Sequence, residues 1–130
     1  MPQFRIDVSE PTFRRDLSSA KKKHPSITED LAAMFSSLEN DPSLGIWIPG
    51  LGAEVRKIRL GVKQQKVSAR KGYRLVYKVD NENKVVTPLL FHYKPDIELV
   101  PEKEILKVLK QIADRQAPPV ALNVPPDSIQ

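Results

Sequence analysis

Arg56-Lys57-Ile58-Arg59-Leu60-Gly61-Val62-Lys63-Gln64-Gln65-Lys66-Val67-Ser68-Ala69-Arg70-Lys71-Gly72-Tyr73-Arg74-Leu75-Val76-Tyr77-Lys78 is the stretch on which the fold turns. Its first part alternates Ile58, Leu60 and Val62 with Lys57, Arg59 and Lys63. Side chains of a strand point to opposite faces with period two, so this is a strand with one apolar and one positive face. Its last part repeats the pattern: Tyr73, Leu75, Tyr77 and Val79 alternate with Arg74, Val76 and Lys78. Residues 63–71 between them read as an exposed loop or hairpin connection. Two adjacent amphipathic strands therefore share a cationic surface.

On the C-terminal side, Asp80-Asn81-Glu82-Asn83 is a turn signal. Lys84 to Tyr93 follows as a third strand rich in Val, Leu and Phe, in which Pro88 predicts an edge position or a bulge. Pro101 stands where the first residue of a helix belongs, with Glu102 and Glu104 in the opening turn. Ile105, Leu106, Val108, Leu109 and Ile112 supply the buried stripe of that helix. Four prolines between residues 118 and 126, with no charge before Asp127, mark residues 117–130 as a disordered proline-rich tail. The folded domain is expected to span residues 1–116.

On the N-terminal side, Phe4, Ile6 and Val8 alternate with Arg5 and Asp7 as a short opening strand. Ser9 then offers an N-cap, Pro11 suits the first turn, and Phe13, Leu17 and Ala20 keep helical spacing up to Lys21-Lys22-Lys23. After Pro25, Ser26-Ile27-Thr28-Glu29 matches a capping box ahead of Ile27, Leu31, Met34, Phe35 and Leu38, one helical face. So short a turn predicts an antiparallel helix pair. Residues 43–53 form a loop with three of the five glycines, whose Ile46, Trp47 and Ile48 are expected to fold down onto the core. The order predicts an α+β domain: short N-terminal strand, two-helix hairpin, small antiparallel sheet, C-terminal helix.

Composition narrows the function. At 130 residues and 40% apolar content the chain fills one ordinary core. No apolar run reaches the ~18–20 residues of a membrane span, and the opening residues lack the layout of a secretory signal. A cytoplasmic protein with no membrane association is the expectation. Cysteine is absent, which excludes thiol catalysis and cysteine-built zinc sites. His24 and His92 are the only histidines, and no metal-ligand spacing, phosphate-cradling loop or dinucleotide fingerprint occurs, so neither metal nor cofactor is expected.

The charge is concentrated. Residues 56–78 carry nine basic side chains and no acidic one; removing those nine from the 21 basic residues leaves 12 against 16 acidic, a net of −4. The whole surplus of +5 lies in the quoted stretch. A concentrated basic footprint points to a polyanion. Lys57, Arg59 and Arg74 fall on or near one sheet surface, with Lys63, Lys66, Arg70 and Lys71 above it, and the planar fork of arginine holds two phosphate oxygens at once. The plainer alternative is a solvated strand and loop. His92-Tyr93-Lys94 closes the third strand, where RNA cleavage without a metal would find its acid and base. That reaction needs a base for the ribose 2′-hydroxyl, an acid for the leaving 5′-oxygen, and cations for the phosphorane. His92 and Tyr93 also read as ordinary sheet residues. His24 reads as structural, and Trp47, Tyr73 and Tyr77 as core.

The element order, with Arg56-Lys57-Ile58-Arg59-Leu60, Gly72-Tyr73-Arg74-Leu75-Val76-Tyr77 and Leu89-Leu90-Phe91-His92-Tyr93-Lys94, resembles the RelE/HigB toxins of type II toxin–antitoxin modules (the RelE/ParE superfamily) over residues 4–116. The resemblance implies an endoribonuclease that cuts mRNA on the ribosome and is silenced by a cognate antitoxin, with operator DNA bound only by the toxin–antitoxin complex. By position, Arg74 corresponds to an arginine expected to hold the scissile phosphate and Arg59 to a second phosphate ligand. His92-Tyr93 corresponds to a His-Tyr pair of some branches, and Lys94 to a lysine of others. Two alternatives share the fold: an RNA- or ribosome-binding module without catalysis, and a ParE-like gyrase inhibitor.

Overall fold

Alternation along the basic stretch and the strand after it yields three long strands in the computed structural model, which describes residues 3–93 and 102–116. These are β3 (Glu54–Leu60), β4 (Tyr73–Asp80) and β5 (Val85–Tyr93), joined antiparallel in sequence order. The β4–β5 connection is the predicted turn. Asp80 accepts the side-chain amide of Asn83 and the backbone N–H groups of Asn83 and Glu82, at 2.9–3.0 Å. These bonds, with the side chain of Asn83 foremost, hold its carboxyl below the usual range.

Pro88 has its bulge. The ladder passes from Val76 opposite Leu90 to Tyr77 opposite Pro88, leaving Leu89 unmatched. The proline thus sits where a missing N–H disturbs the ladder least. The sheet has five strands, in the order β1-β5-β4-β3-β2. The opening strand β1 (Arg5–Ile6) pairs with β5 in parallel, so the sheet is mixed rather than wholly antiparallel. In the loop expected at residues 43–53, a 3₁₀ turn (Pro42–Leu44) leads into an edge strand β2 (Ile46–Trp47).

Two helices cover one face of the sheet: α1 (Pro11–Lys23) and α2 (Ile27–Asn40). Phe13 and Ala20 of α1, with Ile27, Leu31 and Leu38 of α2, pack on Leu60, Tyr73, Leu75, Tyr77 and Val79, from the predicted apolar faces, and on Val86 and Phe91 of the third strand. Both caps differ from expectation. The N-cap of α1 is Glu10, whose carboxylate accepts the N–H of Thr12 at 3.0 Å, while Ser9 bonds to Asp7 instead. Ser26 caps α2 by position only, because its hydroxyl donates to Gln65 in the β3–β4 connection.

Ile46 and Trp47 do not fold onto the core: they are 67% and 48% exposed, and of the three only Ile48 is buried. Paired only with β3 at the end of the sheet, this strand lies beside the core rather than in it.

The described residues fall into two compact units divided between residues 100 and 101. In the second, α3 (Glu102–Gln116) begins after residue 101 with Glu102 and Glu104 in its first turn. Its stripe narrows to Ile105, Val108 and Ile112 at i, i+3 and i+7, since Leu106 is 46% exposed. Pro101 and the proline-rich tail lie outside the described residues.

Candidate nucleic-acid interface

The register of the sheet builds the site. Arg59 of β3 stands directly opposite Arg74 of β4, and Arg74 directly opposite His92 of β5. These three form one row across the strands by register; Arg59 and Arg74 lie on the face away from α1 and α2, whereas the imidazole of His92, at the sheet edge, turns toward Asp16 of α1. Lys57 shares that face, two residues along β3 from Arg59. Like charges placed directly opposite destabilise a strand pair. A bound anion would reverse that cost, since guanidinium forks that repel each other grip the same phosphate well.

Lys57, Arg59 and Arg74 line one cavity of about 430 Å³, together with Leu44, Ile46 and Ile58. Among the described residues Lys57 and Arg59 have no acidic partner. Arg56 points the other way and is structural. It donates to Glu54 at 2.8 Å and to the carbonyl of Gly45 at 2.8 Å, and its guanidinium lies 5.2 Å over the ring of Trp47.

The apolar wall of this cavity is held in place by Tyr77. From the core side of β4 its hydroxyl donates to the carbonyl of Pro42 at 2.7 Å and accepts the N–H of Gly45 at 2.9 Å. Leu44 is thereby bracketed by two bonds to one phenol. Burial pushes that phenol above the usual tyrosine range. Gly45 is required by closeness: a Cβ there would stand 2.7 Å from the Tyr77 hydroxyl and 2.8 Å from the carbonyl of Lys57.

His92 and Tyr93 line a second, smaller cavity of about 140 Å³ with Asp16, Ser19, Ala20, Lys23, Tyr73 and Phe91. Asp16 is the residue sequence reasoning missed. It lies on α1, 8% exposed, and its Oδ2 accepts the N–H of Phe91 at 3.0 Å and stands 3.3 Å from His92 Nε2. Arg15 donates to Oδ1 at 3.3 Å. One carboxylate therefore satisfies a backbone donor on the far edge of β5, beyond the reach of the short β1, and orients the imidazole. A signal existed: Asp16 sits between Phe13 and Ala20 in the apolar periodicity of α1, where a charged residue needs a partner. Beside it His24 is structural, its Nδ1 2.9 Å from the hydroxyl of Tyr73, and Lys23 Nζ lies 4.8 Å over the ring of Tyr93.

The loop cations gather elsewhere. Lys63 lines a groove of about 780 Å³ between the β3–β4 connection and α2, with Glu29, Asp30, Ala33 and Met34. Lys66 sits in the left-handed region at φ 56, and Lys66, Arg70 and Lys71 are exposed. The structure brings Lys57, Arg59 and Arg74 together, places His92 next to them in the row, and keeps Lys63 apart. Lys94 lies outside the described residues.

No family model matches the chain, and no curated protein matches it by sequence. Among solved structures it is similar to the Escherichia coli toxin RelE, determined in the free state as a double arginine-to-alanine mutant. The two share 23% identity at a TM-score of 0.54, over 86% of this chain and 99% of that one. The sheet and helix layout, reached through the alternating basic strands, is that of the same architecture: this chain has the RelE toxin fold.

Proposed function

We propose that the chain is a metal-independent endoribonuclease toxin that cleaves mRNA on the ribosome and is neutralised by a cognate antitoxin. The observation that carries this reading is the row Arg59–Arg74–His92, with Lys57 beside it and no acidic side chain between residues 56 and 78. Arg59 and Arg74 hold the non-bridging oxygens of the scissile phosphate and offset the charge that grows on phosphorus. His92 takes the proton of the ribose 2′-hydroxyl as that oxygen attacks. Asp16, 3.3 Å from Nε2, holds the ring and steadies the imidazolium that forms. The bond to the 5′-oxygen breaks, and a proton donor completes the leaving group. Tyr93 and Lys94 are the candidates for that donor. The products are a 2′,3′-cyclic phosphate and a free 5′-hydroxyl.

No helix among the described residues is long and apolar enough to cross a membrane, in keeping with action in the cytoplasm. An antitoxin with an acidic segment complements the basic face, and the pair, rather than this chain, binds operator DNA. Inducing the chain alone arrests growth and leaves cut mRNA, and Arg74→Ala lowers cleavage by about 10²–10³-fold. Normal growth with intact mRNA overturns the proposal. RNA binding without cleavage products at any pH selects the non-catalytic binding module, and a loss of supercoiling activity selects the gyrase-inhibitor alternative.

A further inference from the structure

The cavity beside Arg59 and Arg74 is half cationic and half apolar, and phosphate binding uses only one half. Its apolar wall is Leu44, 49% exposed, and Ile46, 67% exposed. Large apolar side chains so open to water normally carry no meaning singly. Here two of them share one cavity with three cations, and the turn that carries them is bolted to Tyr77 by hydrogen bonds on both sides of Leu44. A wall fixed in advance loses little entropy on binding.

Among the described residues, no strand but the short β2 pairs with this edge of β3. Pairing between β2 and β3 ends at Ile46 opposite Lys57. The carbonyl of Val55 accepts the N–H of Ile48 on the β2 side. Backbone groups alternate in direction along a strand, so those of Val55, Lys57 and Arg59 all face that side. Past the end of β2, the N–H and C=O of Arg59 are therefore presented at the cavity, one donor and one acceptor on a rigid strand. Flat apolar contact, a donor–acceptor pair and adjoining guanidinium groups together match one chemical unit: a nucleotide, with its base against Leu44 and Ile46 and its phosphate on Arg59 and Arg74.

We infer that this cavity is a nucleobase subsite that seats, in single-stranded RNA, the base flanking the phosphate held by Arg59 and Arg74. The inference rests on the RNA reading above and adds where, and by which side chains, a base is held. A peptide strand added to the same edge would use the backbone of Arg59 too, but three cations and no acid among the described residues that line the cavity favour the polyanion. At about 430 Å³ the space is within the ~300–1,000 Å³ of sites that enclose a small ligand.

The test uses the full chain and a 2′-O-methylated RNA trinucleotide, whose blocked 2′-oxygens prevent cleavage, with versions made abasic at each position in turn. The wild type binds the intact trinucleotide about five- to tenfold more tightly than the version abasic at one position flanking the held phosphate. Leu44→Ser combined with Ile46→Ser, at exposed positions that leave the fold intact by thermal melting, removes that preference and leaves affinity for the abasic version unchanged. Arg74→Ala weakens intact and abasic versions alike. Equal binding of intact and abasic RNA, or a preference that survives the Leu44 and Ile46 substitutions, overturns the subsite while leaving RNA recognition standing. Absence of salt-sensitive binding to any of these RNAs overturns both.

Discussion

The side chain with the most consequences is Asp16. It meets a backbone donor of β5, the imidazole of His92 and the guanidinium of Arg15 from a position almost closed to water. Burying a carboxylate is costly unless donors surround it, and removing it strands the N–H of Phe91. Asp16→Ala is expected to destabilise the fold by about 1–3 kcal/mol, read from urea unfolding. Asp16→Asn retains an oxygen for Phe91 but not the charge beside His92. It is expected to keep most of the stability while lowering cleavage, which assigns Asp16 a positioning role. Equal losses in both variants would mean the residue serves the fold alone. His92 was legible as a strand-end residue of suitable chemistry. Its partner was not legible, because packing α1 on β5 joins residues as distant as Asp16 and Phe91, 75 positions apart.

At the scale of elements, the alternation in β3 and β4 could be read directly, since a period of two leaves no choice of face once one face must be buried. In the helices a period of 3.6 residues gave the apolar faces of α1 and α2. The 3₁₀ turn and β2 are different: nothing local separates an apolar run that lies on an open edge from one that fills a core. What holds this segment comes from other strands: Tyr77 of β4, with Arg56 of β3. Tyr77→Phe leaves the N–H of Gly45 and the carbonyl of Pro42 without their partner and is expected to cost about 1–3 kcal/mol. A phenol raised by burial favours the neutral form in the folded state. Its contribution is therefore complete below the unfolded tyrosine value of ~10 and is lost as pH rises through the higher folded value. Stability measured across pH 9–12 should fall for the wild type and fall less for Tyr77→Phe.

The β3–β4 connection depends on close backbone approach at Gly72, where a Cβ would run into the carbonyl of Leu60. Gly72→Ala must push the strand ends apart. A loss of about 1–3 kcal/mol is expected, with the melting temperature as readout.

At the scale of the whole molecule, the charge separates into a basic strand–loop–strand on an otherwise acidic scaffold. Its distribution in space is narrower than in sequence. Three cations share one cavity, and the four loop cations stand away from it. Binding of single-stranded RNA through Lys57, Arg59 and Arg74 should follow salt with a log–log slope of about −2, from about 0.7 per phosphate contact. Arg59→Gln should reduce that slope by about 0.7, whereas Lys66→Gln should leave it unchanged. A larger effect at Lys66 than at Arg59 would move the interface to the loop.

The order of the helices and long strands, the faces of β3, β4, α1 and α2, the restriction of Pro88 to an edge or a bulge and the place of the positive charge were all determined by the sequence by itself. Each follows from local periodicity, from the missing N–H of proline or from the clustering of like charges. Tertiary structure alone decided the parallel pairing of β1 with β5, the carboxylate behind His92, the exposure of Ile46 and Trp47, and the division of the basic residues between a cavity and a loop. These are contacts between residues far apart in the chain, and burial or charge at one position says only that a partner is needed. Which residue answers that need depends on how helices and strands are packed together.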